Sequence, residues 1–185
     1  MLGAGTLGLG GCAGGADPAA AARAAAAVRR VLALEQTAVA RFEAESAAAE
    51  AQPEPTSRDS AAQEDATAFM LASVRRHRAL ADALAAIDLG GCPEAFVASY
   101  GAFRARAGEH AGHSERSARF VATYLTQELD ALDRTAPETI AELERLTRSE
   151  EQAKRQLRRA RKAVRQATEQ LGVALPEYGT AVPWG

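Results

Sequence analysis

Aromatic side chains are scarce in this 185-residue chain, where Phe, Tyr and Trp together make up 5%. A core poor in aromatics suits a sheet less well than it suits helices. The hydrophobic fraction of 47% is largely alanine. Alanine is the best helix former and a poor strand former, so a thin core of Ala, Leu, Val and a few Phe suits closely packed helices. Two cysteines cannot make a disulfide framework. No apolar run approaches the roughly 18 residues of a transmembrane span. No glycine-rich phosphate loop follows a strand pattern, and no spacing suggests a nucleophile beside its base. A formal net charge of −2 gives no global attraction to nucleic acid. The length fits one domain or one long bundle.

What is present is helical periodicity. Asp17-Pro18 reads as an N-cap followed by proline at the first helical position. A first helix is expected from there to about Ala51, with Val28, Val31, Leu32, Val39 and Phe42 on its apolar stripe. Pro53 and Pro55 break it. A second is expected from about Ser60 to Ile87, carrying Phe69, Met70, Val74, Leu80, Leu84 and Ile87. A third runs from Pro93 to about Asp133 through Phe96, Tyr100, Phe103, Val121, Tyr124 and Leu132, with Gly108 and Gly112 as points where it can kink. A fourth runs from Pro137 to Leu171, carries Ile140, Leu143, Leu157, Ala160 and Val164, and stops at Gly172. Four long helices joined by short turns predict an all-α, antiparallel up-down-up-down bundle, roughly 45–55 Å long at 1.5 Å per residue.

The chain opens MLGAGTLGLGGC, and Leu9-Gly10-Gly11-Cys12 resembles a bacterial lipobox. The resemblance implies a lipoprotein in which Cys12 is lipidated and becomes the mature first residue. Several acyl chains together anchor stably where a single chain does not. Residues 1–11 are then a signal-peptide remnant, 12–17 a lipidated tether, 18–171 the bundle and 172–185 a C-terminal tail. Ala13, rather than Asp, after the cysteine implies the outer membrane where one exists.

Charge is strongly divided along the expected rod. With each helix cut near its middle, the end where helix 1 begins holds 15 basic and 5 acidic residues, and the far end reverses this with 5 and 15. The basic end includes Arg23, Arg29, Arg30, Arg158, Arg159, Arg161, Lys162 and Arg165. Helix-dipole complementarity accounts for helices 2 and 4, but not for the arginines that crowd the start of helix 1. The short stretch Ala13–Asp17 would hold this basic end close to anionic headgroups, where each well-placed base adds at best about 1 kcal/mol. The acidic end would face a protein partner. In the tail, Tyr178 and Trp184 suit either the headgroup zone or a fold-back over the bundle base.

Other candidates carry less chemistry. His77 lies on the stripe of helix 2, level with Glu35, which predicts a buried Glu–His hydrogen bond. His110 and His113 are spaced i,i+3, which suits a transition metal on one helix face, but the Glu-x-x-His pairs of a di-iron bundle are missing. The expected reading has no cofactor and no metal. Cys92 precedes Pro93 at a helix start, where the dipole favours a thiolate, although a small apolar role suits it better. The basic run of helix 4 keeps bundle periodicity through Leu157, Ala160 and Val164, and no aromatic is interleaved for base stacking.

Ile87, Asp88, Cys92, Pro93, Phe96 and Tyr100 weakly resemble a pattern in uncharacterised helical envelope proteins of bacteria. The expectation is a non-enzymatic lipoprotein of the bacterial envelope, lipid-anchored on the periplasmic side, with a structural or partner-binding role and no nucleic-acid partner. Two alternatives stand beside it. One is a periplasmic metal sensor or buffer using His110, His113 and perhaps His77. The other is a cytoplasmic nucleic-acid-binding bundle using helix 4.

Overall fold

The computed structural model describes residues 17–51, 60–126, 137–178 and 182–184. It is all-helical, with α1 (Pro18–Glu50), α2 (Ser60–Ala85), α3 (Glu94–Thr126) and α4 (Pro137–Glu169). The helices pack as a bundle, most extensively α3 against α4 and then α2 against α3. The outer end of the expected third helix lies outside the described residues.

Local chemistry sets the helix ends. The Asp17 carboxylate accepts from the Ala19 N–H at 2.9 Å, and Pro18 follows at the first position. This satisfies one amide that the helix start would otherwise leave unpaired. After α2, the Asp88 side chain accepts from the Gly90 N–H at 2.9 Å, and Gly91 takes φ +77°. Such a turn favours glycine because other residues meet their own Cβ there. Arg104 of α3 donates to the carbonyls of Ala85 and Ile87, both at 3.2 Å, and so caps the end of α2. Arg30 of α1 donates to the Gly90 carbonyl at 2.8 Å. At the end of α4, Gly172 takes φ +63°, its N–H bonds the Glu169 carbonyl, and the Val173 N–H bonds the Thr168 carbonyl. This paired reversal is a Schellman motif, and it turns the tail back on the bundle.

The core follows from the stripes. Val28, Val31, Leu32, Val39 and Phe42 of α1 are buried, as are Leu80 and Leu84 of α2. They meet Phe96, Tyr100 and Phe103 of α3 and Leu157 and Val164 of α4. Along α3 the described buried residues beyond Phe103 are small, Ala107, Ala111, Ala118 and Ala122, except for His110. Small side chains let neighbouring backbones approach closely, which fits the extensive α3–α4 contact. Gly108 and Gly112 sit inside a helix that continues unbroken to Thr126.

Two stripe positions come out exposed. Ile140 is 45% exposed, and Leu146 is buried instead. At 3.6 residues per turn Ile140 points roughly 120° away from Val164, so the buried face of α4 passes it by. Phe69 is 48% exposed although it shares the direction of Leu80. Among the described side chains of α2 the buried apolar residues run from Val74 to Leu84, and Met70 and Ser73 line an open cleft.

Candidate functional site

The most heavily buried charges form one pair. Glu35 of α1 is 0% exposed and Arg161 of α4 is 7% exposed, with Nη2 2.7 Å from Oε1. Arg161 was expected among the exposed bases of the lipid-facing end, and the structure corrects this. It lies four residues after Leu157 and three before Val164, so its stem shares their core-facing side. Its guanidinium carbon stands 5.0 Å from the Phe103 ring centroid and 5.2 Å from that of Tyr178. Two aromatic faces thus cover a cation that has left water.

The expected Glu35–His77 bond does not form, because Glu35 takes Arg161. The His77 ring instead lies edge-on to Phe42 at 5.1 Å, with Nδ1 2.9 Å from the Ser73 carbonyl. Around the ion pair, burial and the neighbouring Glu35 carboxylate push the Tyr100 and Tyr178 hydroxyls well above the usual phenol range. These phenols stay protonated. Both hydroxyls, both Glu35 oxygens, Arg161 Nη1 and Nη2 and the Trp184 N–H lack well-aligned hydrogen-bond partners, so the ion pair is held by charge and proximity. The aromatic shell excludes water without satisfying every polar atom.

The tail completes this shell. Tyr178 is partly buried, while Val182 and Trp184 are buried. Trp184 meets Phe103 edge-on with centroids 5.0 Å apart. Of the two expected places for the tail, the bundle is the one observed.

A half-open cleft of about 370 Å³ lies between α2, α3, α4 and the tail. Its polar lining includes His77, His110, Ser114, Glu150, Glu151 and Lys154, and its apolar lining includes Met70, Val74 and Val121. His77, His110 and Pro183 also border a smaller void of about 10 Å³ that reaches Trp184. The two imidazole centroids are 6.0 Å apart. Burial, with His77 nearby, lowers the His110 pKa to about 4, so the ring is neutral near pH 7.

The expected His110–His113 pairing is not brought together. His113 Nδ1 lies 3.0 Å from Ser149 Oγ and 3.0 Å from Arg116 Nη2, whereas His110 faces His77. Residues three apart on a helix differ by about 60° in direction, enough to send one ring to the cleft and the other to the α4 contact. Among the described residues no group of three or more His, Cys, Asp or Glu side chains could hold a metal ion.

The remaining expected bases, Arg23, Arg29, Arg30, Arg158, Arg159, Lys162 and Arg165, are exposed. Cys12 lies outside the described residues. Cys92 is partly buried at the start of α3, and burial raises its thiol pKa despite the nearby Arg30. Desolvation of the sulfur outweighs the attraction of Arg30, which fits the small apolar role better than the thiolate that a helix start can favour.

Sequence reasoning missed the cleft and the ion pair. The signals for the pair were a glutamate on the apolar stripe of α1 and an arginine on that of α4. Comparison with protein families, with curated proteins and with solved structures finds no match for this chain. Among the described residues no helix is long and apolar enough to cross a membrane.

Proposed function

We propose that the chain is a membrane-anchored, non-enzymatic helical lipoprotein of the bacterial envelope with a structural or partner-binding role. Lipidated Cys12 anchors it on the periplasmic side, in the outer membrane where one exists. The helices form an antiparallel up-down-up-down bundle. Contacts between α1 and α2 support this, since Phe42 meets His77 while Arg30 reaches Gly90. Between α3 and α4, His113 meets Ser149 while Phe103 meets Arg161.

The observation that carries the reading is the exposed basic cluster on the end where α1 begins. Seven of its eight expected members are exposed. Only Ala13 to Asp17 separate the lipobox cysteine from α1, a reach of roughly 17 Å when fully extended. Anionic headgroups lie within a few Debye lengths of that cluster. The acidic opposite end, with Glu138, Glu142 and Glu144 at the start of α4, is turned to a basic protein partner. The raised thiol pKa of Cys92 and the wholly internal Glu35–Arg161 pair both favour a structural role over a reactive one.

The test is fractionation of cells that express the gene with its upstream region, as wild type and as Cys12→Ser. Wild type in the membrane and the variant out of it supports the anchor. Both forms soluble in the cytoplasm would overturn it and make the basic face of α4 a nucleic-acid candidate.

A further inference from the structure

The cleft between α2, α3 and α4 gathers two carboxylates, two imidazoles and one ammonium. His77 Nδ1 lies 2.9 Å from the Ser73 carbonyl. A carbonyl oxygen only accepts, so Nδ1 carries a proton and donates it there. The His110 ring, neutral and buried, keeps one acceptor nitrogen. Ser114 Oγ donates to Glu150 Oε1 at 3.0 Å and holds that carboxylate against α3. Glu151 stands next to it. Lys154 is the only cation among the described lining residues, so the lining carries two carboxylates against one ammonium.

The rest of the lining that matters is apolar, with Met70, Val74, Ala118 and Val121. The volume of about 370 Å³ falls within the range of small-molecule sites, roughly 300–1,000 Å³.

We infer that this cleft binds a small amphipathic organic cation, a primary ammonium carried on an apolar body. The ammonium offers three donors to the Glu150 and Glu151 carboxylates and the acceptor nitrogen of His110. The apolar body lies on Met70, Val74 and Val121. This inference does not depend on the lipid anchor, because the site is built wholly from the described helices and tail.

The protein carries its own reporter. Trp184 is its single tryptophan, and it borders the void that shares His77, His110 and Pro183 with the cleft. The experiment titrates the full chain with hexylammonium chloride, sodium hexanoate and hexanol while following Trp184 emission. The expected result is a saturable change with hexylammonium, none with hexanoate, and at least tenfold weaker binding of hexanol. Glu150→Gln combined with Glu151→Gln should weaken hexylammonium at least tenfold, with circular dichroism unchanged. Glu138→Gln, exposed at the far start of α4, should leave it unaltered. No saturable response, equal binding of hexanoate, or indifference to the paired substitution would each overturn the inference. So would a saturable response to zinc chloride that hexylammonium does not compete with, since that assigns the imidazoles to a metal.

Discussion

The indole of Trp184 stands edge-on to the ring of Phe103, with centroids 5.0 Å apart and planes at 85°. The tail and α3 therefore share one aromatic cluster, and Tyr178 extends it with its centroid 6.4 Å from that of Trp184. Edge-to-face pairs contribute about 0.5–1.5 kcal/mol beyond the area they bury. Trp184→Ala should destabilise the fold by about 3–5 kcal/mol, the usual range for emptying a large aromatic site. Urea unfolding followed by circular dichroism checks this. A loss below 1 kcal/mol would mean that the tail rests on the bundle without supporting it.

The buried pair predicts an asymmetry. Arg161→Ala should cost about 3–5 kcal/mol, because it strands the Glu35 carboxylate inside the core. Replacing both partners together, Glu35→Leu with Arg161→Met, should cost far less, within about 1 kcal/mol of zero. A double-mutant cycle by denaturant unfolding measures the difference. Additive costs would contradict a coupled pair.

His110 sets a pH dependence. Its pKa in the folded protein is lowered to about 4, against about 6.5 for an unperturbed histidine. Between those values the unfolded chain holds the proton and the folded chain does not. The contribution is therefore complete above about pH 6.5 and is lost as pH falls toward 4. Its ceiling is about 3 kcal/mol. Unfolding free energies at pH 7, 6, 5 and 4.5 should fall more steeply for wild type than for His110→Asn. Parallel curves would show that His110 does not carry the slope.

Cys92 should react slowly. Burial raises its thiol pKa, so little thiolate is present at neutral pH. In a Cys12→Ser background, alkylation by iodoacetamide at pH 7 should be slower than that of free cysteine, and the rate should still climb above pH 9. A plateau below pH 8 would restore the thiolate reading.

Much of the fold was legible in the sequence because its signals are local. Asp17-Pro18 sets the start of α1 and Gly172 the end of α4, and each acts through its own backbone. The stripe of α1 is buried in full, since valine and leucine at helical spacing have one apolar direction to turn to. Ile140 misled because a stripe drawn through a long helix drifts from its true angle. Phe69 misled because helical spacing gives a direction without saying how far the core extends along it. The candidate site was barely legible. The cleft is a gap between three helices, and no single segment encodes a gap. Arg161 looked like one more base in a basic run, because only the presence of Glu35 on another helix makes its burial affordable.

An alanine-rich face is smooth, and helices that meet through such faces can slide past one another at little expense. The Glu35–Arg161 contact opposes such a slip of α4 relative to α1. A slip of one helical turn moves α4 by about 5.4 Å along α1, which parts the guanidinium from the carboxylate and leaves both charges in apolar surroundings. The pair thus ties α4 to α1 across the core, where the two helices have few other contacts.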